Sequence, residues 1–192
     1  MLTCCVLAEF ADIGHKLFRT TQETYPIAFV PGDVFDSKHL DVVPPLASAH
    51  EPTGPPEGPA IDLGSLTSLN PLHGRVFAIN ASSFFHLFSE ARQLHVARAL
   101  AGLLSPEPGS VIFGEHLGKA EKGFTASPFG LGDQMFCHCP ESWAQLWDGV
   151  VFEKGMVDVK SKLLQRESGD PDAQLNTFFV KYMVLAWSVT RL

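Results

Sequence analysis

Three side chains stand where acid–base chemistry is possible. His86 follows a short apolar strand and a small-residue turn, Asn80-Ala81-Ser82-Ser83. Glu115 and His116 follow a second apolar strand, Ser110–Gly114. Open α/β sheets place ligands at the carboxyl ends of their strands, so each of the three can orient a bound molecule or accept its proton. A lone histidine also serves as a structural or exposed residue. Phe85, Met135, His138 and Trp143 supply a candidate apolar wall for a small-molecule substrate, and the same residues suit ordinary core packing. The four cysteines are Cys4-Cys5 and the pair Cys137 and Cys139 flanking His138. Zinc sites use spacings closer to C-x2-C, so no metal is expected and the thiols read as reduced. No G-x-S-x-G elbow, P-loop or H-E-x-x-H motif occurs, which removes the common hydrolase, nucleotide and metalloprotease signatures.

These residues need a scaffold, and the pattern of the chain predicts one. Residues 2–7 (LTCCVL) read as a strand, and about 8–19 as a helix with Phe10, Ile13, Leu17 and Phe18 at helical spacing. Ile27–Val30 is the next strand, closed by the turn Pro31-Gly32-Asp33. His39 to Leu72 is rich in Pro and Gly and reads as loop, with residues 41–72 either a surface insertion or a lid. Arg75–Ile79 is the central strand. The helix after it spans 82–104, with Phe84, Phe88, Ala91, Leu94, Ala97, Leu100 and Leu104 as its apolar stripe and Ser89 as a cap for its longer part. Residues 118–134 read as glycine-rich loop. Pro140–Val150 is a further helix, and two alternating runs, 156–164 and 177–190, form a closing hairpin around Gly169-Asp170-Pro171. Apolar strands alternating with helices predict a mostly parallel α/β sheet with an antiparallel hairpin at its edge.

Bulk properties exclude several classes. A chain of 192 residues suits one domain, 1–192. The net charge of −7 argues against nucleic acid as a partner. No apolar run approaches the ~20 residues that cross a bilayer, and the first ten residues lack a signal-peptide pattern. A soluble cytoplasmic protein with no membrane partner is the expectation.

The segments Glu9–Arg19 (EFADIGHKLFR), Phe29–Asp36 (FVPGDVFD), Ala78–Ser89 (AINASSFFHLFS), Pro108–Leu117 (PGSVIFGEHL) and Pro140–Asp148 (PESWAQLWD) occur in a telling order. The chain resembles the class I S-adenosylmethionine-dependent methyltransferases. The likeness is greatest to fungal members that methylate polyketide- or terpenoid-derived acids and phenols. The resemblance implies a Rossmann-like methyltransferase sheet and S-adenosyl-L-methionine as cofactor. It implies that Asp33, Val34 and Phe35 border the adenine and that Asn80, Ala81 and Ser82 pass beneath the methionine end. Asp33 also suits a plain Asx turn, and Ser82 or Ser83 a helix cap.

The family's acidic residue followed by G-x-G-x-G has no counterpart in this sequence, and no carboxylate lies near Cys5, where the ribose-binding acid falls. Glu9 sits about one helical turn further on. The chain therefore reads as N-terminally incomplete, starting at the family's second strand. In the family the first strand lies between the second and the fourth. The resemblance thus predicts two sheet pieces with unpaired inner edges, an open edge that a homodimer or an intact homologue can cover, and poor cofactor affinity. Two functions follow: methyl transfer to a small secondary metabolite, or a non-catalytic scaffold that keeps part of the fold.

Overall fold

The structure is a computed structural model that describes residues 2–3, 9–21, 23–25, 28–47, 61–128, 134–168 and 180–192. β1 (Leu2–Thr3) is followed by α1 (Glu9–Phe18) and β2 (Ala28–Phe29). Then come β3 (Ala78–Asn80), α2 (Glu90–Leu103) and β4 (Val111–Leu117). β5 (Gly123–Ala126), β6 (Gln134–Cys137) and α3 (Pro140–Trp147) lead to the long final pair, β7 (Val157–Ser168) and β8 (Val180–Arg191).

The main sheet has the order β3-β4-β8-β7. β3 and β4 run parallel, joined through α2, while β8 is antiparallel to both β4 and β7. β1 and β2 form a separate parallel pair, and no ladder joins it to β3 among the described residues. The mixed α/β architecture with its antiparallel hairpin therefore follows the sequence pattern, and among the described residues the strands form three separate sheets: the main one, β1–β2 and β5–β6. The first hairpin strand runs further than expected, to Ser168, and the second ends at Arg191. Residues 169–179 around its turn lie outside the described residues, as do 4–7 of the first expected strand and 48–60 of the Pro-rich stretch.

One face of the main sheet carries Ile112, His116, Leu185, Trp187 and Val189, all buried. The register sets Ile112 opposite Val189 and His116 opposite Leu185, so period-two alternation puts them together. Phe85 is the centre of an aromatic cluster beneath this face. Its ring lies 4.9 Å from Trp143, 5.7 Å from Trp187, 5.7 Å from His116 and 6.2 Å from Trp147. Edge-to-face pairs at these distances add to the area they bury.

Several elements differ from the sequence pattern for identifiable reasons. The expected helix over 82–104 breaks into a turn, a 3-10 turn at Phe85–Leu87, and α2 from Glu90. Ser83 takes φ 53°, outside the helical region, and donates its N–H to Glu115 O at 2.6 Å. The chain is thus bent toward β4 before the helix can start. Ser89 has N-cap dihedrals, yet its side chain makes no capping bond. The buried face of α2 runs through Gln93, Val96, Ala97 and Leu100, whereas Ala91 is exposed. Burial rotates the stripe because Gln93, a polar residue, is taken inside.

The glycines in 118–134 read as loop, but β5 and β6 pair there, with Phe124 opposite Phe136. α3 ends at Trp147 rather than Val150, and Val150 is exposed. In the Pro-rich stretch, Leu40, Leu69 and Leu72 are core residues. Asn70 ties the two flanks together: Nδ2 donates to Ser37 O at 2.9 Å, and Oδ1 accepts from Asp41 N at 2.7 Å. Leu69 and Leu72 thus anchor the end of this stretch in the core.

Candidate active site: a cavity at the end of β4

β3 and β4 deliver the turn 80–83 and the pair Glu115-His116 to the same end of the sheet. Ala81 N donates to Phe113 O at 2.9 Å, continuing the ladder past the end of β3. Gly114 makes this fit possible, because a Cβ there would lie 2.7 Å from Ala81 O. The turn then carries Ser83 and His86 toward His116.

A cavity of about 100 Å³ forms there, lined by Ser83, His86, Glu115, His116, Leu117, Tyr182 and Val184. The three expected acid–base residues are all in its wall. The rings of His86 and His116 are nearly parallel, with centroids 6.5 Å apart. His116 is 2% exposed. Its Nδ1 accepts from Trp187 Nε1 at 2.9 Å, and its Nε2 is buried without a partner. Burial pushes its pKa down to about 3, with the nearby His86 and His138 adding to the effect. Burial also lowers the pKa of His86, whose Nδ1 is shielded and unbonded. Both rings are neutral near pH 7. Glu115 is paired with Arg166, Nη2 to Oε2 at 3.0 Å, so its charge is compensated.

Of the four residues expected to line an apolar wall, Phe85 and Trp143 have no exposed surface and pack on one another. His138 is buried at the start of α3, its Nδ1 2.9 Å from Ser142 Oγ, with its pKa pushed down to about 4 by burial. Met135 is half-buried on β6. The aromatic members thus stand behind the histidines, with Trp143 4.7 Å from the His116 ring.

The residues expected around a cofactor sit elsewhere. Asp33 is exposed, and its Oδ1 accepts from Phe35 N at 2.9 Å in an Asx turn. Val34 and Phe35 are half-buried. The Phe35 ring meets Phe88 at 5.0 Å and lies under the Arg92 guanidinium at 4.9 Å. Asn80 and Ser82 are exposed and Ala81 is buried. Asn80 Oδ1 accepts from Ser82 N at 3.4 Å, a second Asx turn. Neither 33–35 nor 80–82 lines the histidine cavity.

Two residues escaped the sequence reading. Trp187 sits in an alternating strand whose pattern signals burial but not its bond to His116. Gln93 is fully buried, and its Nε2 donates to Phe88 O and Phe136 O, both at 2.9 Å. It lies one helical turn before Ala97 on α2. That spacing gave no sign of its role, since a glutamine on a helix is normally solvated.

No family model matches the chain. It is 32% identical over 146 residues to the O-methyltransferase phiE of Fungal sp. (strain ATCC 74256), covering 76% of this chain and 39% of that protein. It is 30% identical over 128 residues to the Asnovolin E/Chermesin D methyltransferase nvfJ of Aspergillus novofumigatus (strain IBT 16806), covering 67% of this chain and 44% of that one. The chain thus spans about two fifths of the length of the curated relatives it matches. Among the described residues no helix is long and apolar enough to cross a membrane.

Proposed function

We propose that this chain, a homologue of fungal methyltransferases, transfers a methyl group from S-adenosyl-L-methionine to an oxygen of a small secondary metabolite, an acid or a phenol. The observation that carries this reading is the similarity to two proteins named as methyltransferases, over 76% of the chain in the longer match.

The residues present fit the donor in kind. At Asp33 one carboxylate oxygen closes the Asx turn, and the exposed side chain can also accept from an amino group such as that of adenine. Val34 and Phe35 add half-buried apolar surface beside it. Asn80 and Ser82 expose a small-residue turn that a methionine end can approach closely. When bound, this cofactor supplies an electrophilic methyl group.

The chain's own part is to hold the acceptor. His86, kept neutral by burial, offers a ring nitrogen to take the proton of a phenol. A carboxylate acceptor needs no base and is only positioned, by His116 and the neutralised Glu115–Arg166 pair. Calorimetry with S-adenosyl-L-methionine, followed by mass spectrometry of small acids and phenols incubated with protein and cofactor, tests the reading. A folded protein that neither binds the cofactor nor methylates any of them refutes it.

A second reading has one observation in its favour. Phe77 O accepts from Val111 N and Ala81 N donates to Phe113 O, so Phe77, Ile79 and Ala81 face β4. The backbone groups of Ala78 and Asn80 therefore point to the other edge of β3, where no strand pairs among the described residues. An unpaired edge of this kind suits a scaffold that joins a second copy or an intact homologue. Light scattering with and without such a homologue separates the two readings.

A further inference from the structure

The Trp187–His116 contact fixes a protonation state. An indole N–H is a donor only. With Trp187 Nε1 at 2.9 Å, His116 Nδ1 must present its lone pair. A ring that accepts at Nδ1 cannot be an imidazolium. The single proton of neutral His116 then resides on Nε2.

That Nε2–H has no partner and no solvent. A buried donor left unmade costs on the order of 1–3 kcal/mol, so native structures rarely leave one without a reason. Here the ring borders the cavity of about 100 Å³, room for one small polar group of a larger molecule. His86 borders the same cavity with its Nδ1 equally shielded and unbonded. Nothing among the described residues fixes the His86 tautomer, so it can donate as well. Both rings line the cavity, and an N–H from each would match the two acceptor oxygens of a carboxyl group. The other charged and titratable groups nearby are Glu115, compensated by Arg166, His138, which lies beyond Trp143, and Tyr182. Among the described residues no uncompensated negative charge lines the cavity to oppose a carboxylate.

We propose that Trp187 is a positioning residue that locks His116 as the Nε2–H tautomer, and that His116 is thereby a hydrogen-bond donor to the carboxyl oxygen of a small organic acid and not a base. The assignment rests on the methyl-transfer reading only for the purpose of that ligand. Tautomer and binding are both read without any methyl donor.

The experiment uses the full chain labelled with ¹⁵N-histidine and long-range ¹H–¹⁵N correlation from pH 5 to 8, with benzoate as the probe and benzyl alcohol as its neutral counterpart. Expected is a protonated Nε2 and an unprotonated Nδ1 at His116, constant over that range, with the Nε2–H signal moved by benzoate and not by benzyl alcohol. Trp187→Phe should yield mixed tautomers and weaken benzoate binding at least fivefold. His116→Gln, which keeps a donor near the Nε2 position, should retain more binding than His116→Phe, and this pair carries the test if Trp187→Phe does not fold. The proposal is overturned by a proton on Nδ1, by a benzoate-insensitive His116, by equal response to the alcohol, or by Gln and Phe variants that bind alike. Benzoate binding without methyl transfer refutes only the proposed reaction. Methyl transfer with a base-like His116 refutes only this assignment.

Discussion

Gln93 illustrates how much one polar side chain decides. Its amide reaches the carbonyls of Phe88 and Phe136, which belong to the segment before α2 and to β6. It thereby ties the turn that carries His86 to the strand that precedes α3. Gln93→Leu keeps the volume roughly constant and removes this donor from the buried Phe136 carbonyl and the part-buried Phe88 carbonyl. The expected loss is about 2–4 kcal/mol, from two unmade bonds at ~1–3 each offset by the added apolar surface. Urea unfolding measures it, and a midpoint equal to that of the parent protein would show the bonds to be dispensable. The sequence disclosed His86, Glu115 and His116 by their place after apolar strands. It could not disclose Trp187 or Gln93, because Trp187 meets His116 across 71 residues of chain and Gln93 meets Phe136 across 43.

At the scale of elements, close approach does what pattern cannot report. Gly114 closes the expected strand 110–114 but lies mid-strand in β4, where it lets the β3 turn lie against the sheet. Gly114→Ala puts a methyl group against the Ala81 carbonyl, a backbone atom with no rotamer to escape into. We expect a loss of about 1–3 kcal/mol and a lower melting temperature, together with a changed chemical shift at His86 and His116 as the turn moves. A neutral effect on both would mean that the turn is free to shift. The same logic explains the missed β5–β6 pair. Gly118 follows β4 and Gly123 opens β5, which gives the segment the look of a loop. The cross-strand contact of Phe124 with Phe136, centroids 5.4 Å apart, supplies the pairing that local composition hides. The α1 helix presents the opposite case. Its apolar spacing was legible, and the helix forms, but Ile13, Leu17 and Phe18 are each more than half exposed.

For the whole molecule, the buried histidines couple folding to pH. His116 and His138 are held to pKa values of about 3 and about 4, against 6.5 for an unperturbed ring. Between those values and 6.5 the unfolded chain binds more protons than the folded one. Their contribution to stability is therefore complete above about pH 6.5 and declines as the pH falls through the folded values. Urea midpoints should drop steadily from pH 7 to pH 4. His138→Asn, which keeps a polar side chain at that site and removes the titrating ring, should flatten the slope. A parent midpoint constant over that range would contradict the burial of these rings.

The amino-acid sequence alone determined the alternation of strands and helices, the closing hairpin, the aromatic-rich middle and the residues eligible for acid–base work. Each of these follows from local periodicity, turn residues or residue type. Tertiary structure decided the rest. It set the pairing of β5 with β6, the register that puts Trp187 within reach of His116, and the burial that keeps both neighbouring rings neutral. Those outcomes depend on strand pairing between distant segments and on the exclusion of water, and neither quantity is a property of any short stretch of chain.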